Sequence, residues 1–107
     1  MSPADVTLSL IGGKWKILIL FLLFYFNGKS YSEIKTNLQG VSEKMLSQQL
    51  KELERDLLVR KKILSKKPYR VEYFLTEKGR TLAPLCEFIS QWGVDYLMEF
   101  GIDYGKD

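Results

Sequence analysis

Ten consecutive apolar residues, Ile17 to Phe26 (ILILFLLFYF), stand near the front of a chain of only 107 residues. A run with no polar break has no face to turn toward water, so it must lie at the centre of whatever this chain folds into. It is shorter than the roughly 20 residues a spanning helix needs. Lys14 and Lys16 precede it and Asn27-Gly28-Lys29 follows it, which bounds a central helix over about Lys14–Phe26, buried on nearly all sides. Met1 to Leu10 lacks a basic stretch followed by an apolar one, so it does not read as a secretion signal, and no membrane partner is expected.

The remaining punctuation divides the chain into short elements. Pro3 and Asp5 suit the start of a helix to about Leu10, broken by Gly12-Gly13. Ser32 reads as the cap of a short helix to about Leu38, with Ile34 and Leu38 facing inward. Gln39-Gly40-Val41 forms a tight turn, and Ser42 caps a longer helix to about Asp56. Leu58–Leu64 and Arg70–Leu75 read as two strands around the polar stretch Ser65–Tyr69, giving a β-hairpin. Thr76 then caps a last helix, with Pro84 expected to kink it or shift its start. The fold class is mostly α (α+β), organised as one unit over residues 1–107: terminal helices at 1–13 and 77–107, a two-helix motif at 32–56 and a two-stranded hairpin at 58–75.

Two helices joined by a short Gly-containing turn form a helix-turn-helix. On a helical wheel of its second helix, Leu46, Leu50, Leu53 and Leu57 fall in one sector, the expected core face. Lys44, Gln48, Lys51 and Arg55 fall opposite, Ser47 lies beside them, and Glu43, Glu52, Glu54 and Asp56 take the flanks. Glu52 and Asp56, one turn apart, read as a solvated flank with mutual repulsion. Nine basic and four acidic residues fall between Ser42 and Arg70, a local charge of +5, whereas the rest of the chain carries −2. Cationic and amide groups along one ridge suit a helix in the major groove of duplex DNA, where Lys bonds guanine acceptors and Gln bonds adenine. Ser42, Lys44, Ser47 and Gln48 are expected to reach bases, and Lys51 and Arg55 phosphate. The hairpin then acts as a wing: Lys66 and Lys67 at its tip, with Arg70, are expected on the DNA backbone.

Composition closes several other routes. The chain has no histidine and one cysteine, Cys86, so it can supply neither a Cys/His zinc site nor a Ser-His-Asp or Cys-His pair. No catalytic residue, metal or cofactor is expected. Gly28-Lys29-Ser30 looks like the end of a phosphate-binding loop, but position 23 is Leu where that loop needs Gly. The absence of a disulfide framework points to a reducing, cytoplasmic compartment.

Ile11-Gly12-Gly13-Lys14-Trp15-Lys16, Ser42–Glu54 (SEKMLSQQLKELE), and Val71-Glu72-Tyr73 followed by Leu75–Arg80 (LTEKGR) together resemble the HxlR-type winged helix-turn-helix regulators, relatives of the MarR group, over about Ser2 to Tyr96. The resemblance implies a homodimeric transcriptional regulator on a pseudo-palindromic operator, with the dimer built from the terminal helices. A small-molecule effector of unspecified class is a further candidate partner. Val6, Leu10, Leu82, Leu85, Ile89, Trp92 and Tyr96 supply more apolar surface than so small a unit covers alone, and are the expected dimer interface. Many members place a sensing cysteine before the N-terminal proline; here that position is Ser2, so no thiol switch operates there. Cys86 falls on the apolar stripe of the last helix and reads as a buried structural thiol. Two other readings fit the same residues: an architectural DNA-binding protein without a switch, and a winged-helix dimer that binds protein rather than DNA.

Overall fold

The computed structural model describes residues 1–102. The elements run α1 (Pro3–Ile11), α2 (Lys14–Tyr25), β1 (Lys29–Ser30), α3 (Tyr31–Asn37), α4 (Glu43–Arg55), β2 (Val59–Lys66), β3 (Tyr69–Leu75), α5 (Glu77–Arg80) and α6 (Ala83–Glu99). The part of the expected C-terminal segment beyond Ile102 lies outside the described residues. The class is mostly α with one small antiparallel sheet, a winged helix-turn-helix with a long C-terminal helix.

α2 occupies the centre. Ile19, Leu20 and Leu23 are buried against Ile34 of α3, Leu46, Leu50 and Leu53 of α4, and Val59, Tyr73 and Leu75 of the sheet. The apolar run is not buried throughout: Tyr25 and Phe26 at its end are 72% and 49% exposed, because the helix stops at Tyr25 and Phe26 turns into extended backbone. α1 and α2 bend by 77° at Gly12-Gly13, and among the described residues no single helix is long and apolar enough to cross a membrane.

The sheet has three strands, ordered β1-β3-β2, where the sequence suggested two. The extra strand is Lys29–Ser30, too short to announce itself by alternation, and it pairs Lys29 with Tyr73 and Ser30 with Glu72. β2 and β3 pair from Val59–Leu75 out to Lys66–Tyr69, with a register shift between Ile63 and Ser65. β2 runs two residues further than Leu64, so the turn shrinks to Lys67-Pro68.

Helix starts follow side-chain chemistry. The cap of α3 is Ser30, not Ser32: Ser30 Oγ accepts from Glu33 N (3.2 Å) and Glu33 Oε1 accepts from Ser30 N (3.0 Å). The Ser-x-x-Glu spacing is the capping box, and it identifies Ser30 because only that serine has an acid three residues on. Ser42 Oγ accepts from Met45 N (3.0 Å) and starts α4 after a turn in which Gly40 sits at φ +87°. Thr76 Oγ accepts from Gly79 N (2.9 Å) to start α5. Gly79 is there for contact: a Cβ at that position would collide with the Leu58 carbonyl. The expected continuous last helix is split. α5 ends at Arg80 and α6 starts one residue before Pro84, whose ring is tolerated only in a first turn.

Leu57 departs from the wheel as well. It was expected on the leucine face, but it lies past the end of α4 at φ +63° and is 70% exposed. Leu58 N donates to Leu53 O (3.0 Å) and Leu57 N to Glu54 O (3.0 Å), closing the helix in a left-handed turn that costs a branched residue about 1–2 kcal/mol. Leu57→Gly should therefore raise unfolding stability by about 1 kcal/mol in a urea titration. Unchanged or reduced stability would mean that this turn carries no strain.

Candidate DNA interface

α4 is held by its buried leucines and turns Lys44, Gln48 and Lys51 outward, all exposed. Lys44, Ser47, Gln48, Lys51, Glu52 and Arg55 border one shallow depression along this ridge. Ser42 is at the base of the ridge as the helix cap. Ser47 is half-buried rather than free. The Tyr31 hydroxyl donates to the Glu43 carbonyl (3.1 Å) and shares a hydrogen bond with Ser47 Oγ (3.1 Å), pinning the first turn of α4 to the start of α3. Nothing in the spacing marked Tyr31 for this; its partners lie 12 and 16 residues away.

Arg55 is less free than the wheel suggests. Its Nε and Nη2 donate to Asp56 Oδ1 and Oδ2, both at 3.0 Å, and this fork holds the Asp56 carboxyl below its usual range. Glu52 is not a loose flank either: its Oε1 lies 2.6 Å from Nζ of Lys16 on α2, and Lys16 is only 6% exposed. Each acid of the expected repulsive pair has its own cation. A lysine just before an apolar run is easily read as a solvated flank, which is why this contact was not expected.

The wing supplies the other cations. Lys66, Lys67 and Arg70 are exposed at the hairpin tip, and Ser65 pairs with Arg70 across the strands. Arg60 lies over the Phe74 ring at 4.7 Å. Lys61 pairs with the inward-facing Tyr73, so it points into the groove between wing and helix-turn-helix. Tyr31, Ser47, Lys61, Tyr69, Arg70 and Tyr73 line that groove. Lys61, Tyr31 and Tyr69 thus join the sequence-derived set; alternation from buried Val59 would have indicated Lys61. Burial pushes the Tyr73 phenol up to about 12, so it stays a neutral donor.

The expected dimer residues divide in two. Leu10, Leu82 and Leu85 are half-buried against this chain's own core. Val6, Ile89, Trp92 and Tyr96 are 42–60% exposed. Trp92 stacks on Tyr96 (centroids 5.5 Å), and Tyr96 meets Phe100 (4.7 Å), forming an aromatic ladder on the outer face of α6. Cys86 is buried at 3% exposure, and that burial raises its thiol pKa.

A helix-turn-helix with a one-sided basic second helix, next to a basic hairpin, defines a DNA-binding transcriptional regulator of the winged-helix, MarR-like kind. The HxlR-like helix-turn-helix family model matches residues 10–100, and the chain belongs to that family. It is 46% identical over 93 residues to BH0655, an uncharacterised HTH-type transcriptional regulator of Halalkalibacterium halodurans, covering 87% of this chain and 82% of that one. The crystal structure of the HTH-type regulator ytcD superposes with a TM-score of 0.85 at 39% identity, covering 91% of this chain and 98% of ytcD. The redox regulator HypR, in its oxidised form, gives 0.82 at 36% identity, over 88% of this chain and 96% of HypR. These relatives are regulators rather than enzymes.

Lys16 also makes stability depend on pH. The Lys16 ammonium holds the Glu52 carboxyl beside it below the ordinary value of 4.5. The folded chain therefore releases this proton more readily than the unfolded chain. The resulting stability is present above about pH 4.5 and is lost as pH falls through the lower folded-state value. Lys16→Met should flatten the acid limb of a plot of unfolding free energy against pH, relative to wild type. An identical acid limb would show that the ion pair contributes nothing there.

Proposed function

We propose that the chain acts as a homodimer that binds a specific, two-fold symmetric duplex operator. α4 enters the major groove and the wing lies along the backbone. The observation that carries this reading is the division of α4: Leu46, Leu50 and Leu53 are at most 1% exposed, while Lys44, Gln48 and Lys51 face water on the other side. Ser42, Lys44, Ser47 and Gln48, in the N-terminal half, are the base-reading set. Lys51, Arg55, Lys66, Lys67 and Arg70 are the phosphate set, with Arg55 weakened by its fork to Asp56.

Val6, Ile89, Trp92 and Tyr96 supply the seam with a second copy, and Leu10, Leu82 and Leu85 support it from beneath. Dimerisation sets the two recognition helices about one DNA turn apart, roughly 34 Å. A small-molecule effector regulates such a dimer only if it binds the two dimer arrangements unequally. HypR is a redox regulator. Here Ser2 stands before Pro3, so no thiol switch operates at that position, and Cys86 is buried.

Selection of bound sequences from a random duplex pool, repeated at several salt concentrations, tests the DNA assignment. Gln48→Ala should relax preference at one base position by about 1–3 kcal/mol. Lys66→Ala should weaken all duplexes alike and reduce the salt slope by about one. The reverse pattern would overturn the two roles. Trp92→Glu should convert a dimer to monomer by sedimentation and weaken operator binding. A variant that remains dimeric would remove α6 from the seam.

A further inference from the structure

The Tyr31 hydroxyl sits between two oxygens of α4, 3.1 Å from the Glu43 carbonyl and 3.1 Å from Ser47 Oγ. Tyr31 is the first residue of α3 and packs against the core, so its hydroxyl is delivered to a fixed point. A phenol has one proton to give, and a carbonyl oxygen only accepts. Two oxygens at 3.1 Å with no proton between them would repel, so the Tyr31 proton points to the Glu43 carbonyl. The contact with Ser47 must then take its proton from the serine, which donates to the Tyr31 oxygen. The relay runs one way, from Ser47 through Tyr31 to Glu43.

A serine hydroxyl ordinarily rotates to donate or accept as its partner requires. Here the single Ser47 proton is committed inside the protein, and only lone pairs remain for an outside partner. Ser47 borders both the depression along the recognition ridge and the groove beside the wing, so those lone pairs lie on the surface that α4 presents. A hydroxyl that only accepts has no bond to make with a phosphate oxygen, or with the keto oxygen of guanine or thymine. It suits the exocyclic amino groups of adenine and cytosine, which are the donors on the major-groove edges.

We propose that Tyr31 is a positioning residue that fixes Ser47 as an acceptor, and thereby makes α4 select an amino-bearing base, adenine or cytosine, where Ser47 meets DNA. This rests on Ser47 being a base contact, as argued above.

The test uses the full chain, wild type against Ser47→Ala and Tyr31→Phe, with thermal unfolding of each. Random-pool selection on Ser47→Ala locates the base pair that Ser47 reads. In the duplex selected by the wild type, the exocyclic groups of that pair are then deleted one at a time. Purine for adenine, or pyrimidinone for cytosine, removes the amino group; aminopurine for guanine, or methylpyrimidinone for thymine, removes the keto oxygen. Loss of the amino group should weaken wild-type binding about fivefold more than it weakens Ser47→Ala, and loss of the keto oxygen should affect the two alike. A Ser47-dependent loss confined to the keto oxygen would mean that Ser47 donates, and would overturn the inference.

Tyr31→Phe keeps the ring and frees the Ser47 proton. The Glu43 carbonyl keeps a partner, because helix geometry brings it the Ser47 backbone N–H. The variant should accept guanine for adenine, or thymine for cytosine, at a position where the wild type rejects that exchange by about fivefold. A folded Tyr31→Phe that rejects the exchange as strongly as the wild type would overturn the positioning role and leave the base contact standing. If Tyr31→Phe fails to fold, the group deletions on the wild type decide alone. If Ser47→Ala alters no position, the base contact itself fails, and the inference fails with it.

Discussion

Leu46, Leu50 and Leu53 leave α4 no freedom to roll about its axis. Exposing each buried leucine would cost roughly 1.5–3 kcal/mol, while an exposed lysine is worth less than about 1 kcal/mol wherever it points. The core therefore decides where the ridge faces, and the charges follow. The rest of the arrangement depends on this anchoring: α2 supplies the apolar wall, α3 closes the turn, and the sheet, through Val59, Tyr73 and Leu75, sets the wing against the same core.

Polar contacts then refine what the leucines fix. Tyr31 ties the start of α4 to α3, Lys16 ties its last turn to α2, and Thr76 Oγ1 donates to the Leu57 carbonyl (2.6 Å) just past its end. Each lies at the boundary between core and ridge. None contributes much cationic surface, but each limits the movement of side chains that do. The same economy shows in the acids: Glu52 and Asp56 are each matched locally, so the field in front of the ridge is dominated by Lys44, Lys51 and the wing.

The elements with strong periodicity were legible in the sequence. The leucine spacing of α4, the Gly40 turn and the alternation Val71-Tyr73-Leu75 each follow from one local rule, and the basic ridge follows from the first of them. Where two rules competed, the local reading slipped. Ser32 and Ser30 are both plausible caps until the acid three residues on is weighed, and Leu57 continues the wheel only if the helix does. What no local rule could supply were the contacts between distant segments: Lys16 with Glu52, Tyr31 with Ser47, and β1 with β3. Tertiary packing creates these, and the first two constrain residues of α4.

Titration of isotopically labelled protein with a selected duplex, followed by backbone amide NMR, tests the central claim most directly. The account predicts shift changes concentrated at Ser42–Lys51 and at the wing tip Lys66–Arg70, with the buried face of α2 and the outer face of α6 little affected. Changes confined to α6 or to Tyr25 and Phe26, with Lys44 and Gln48 unmoved, would contradict it.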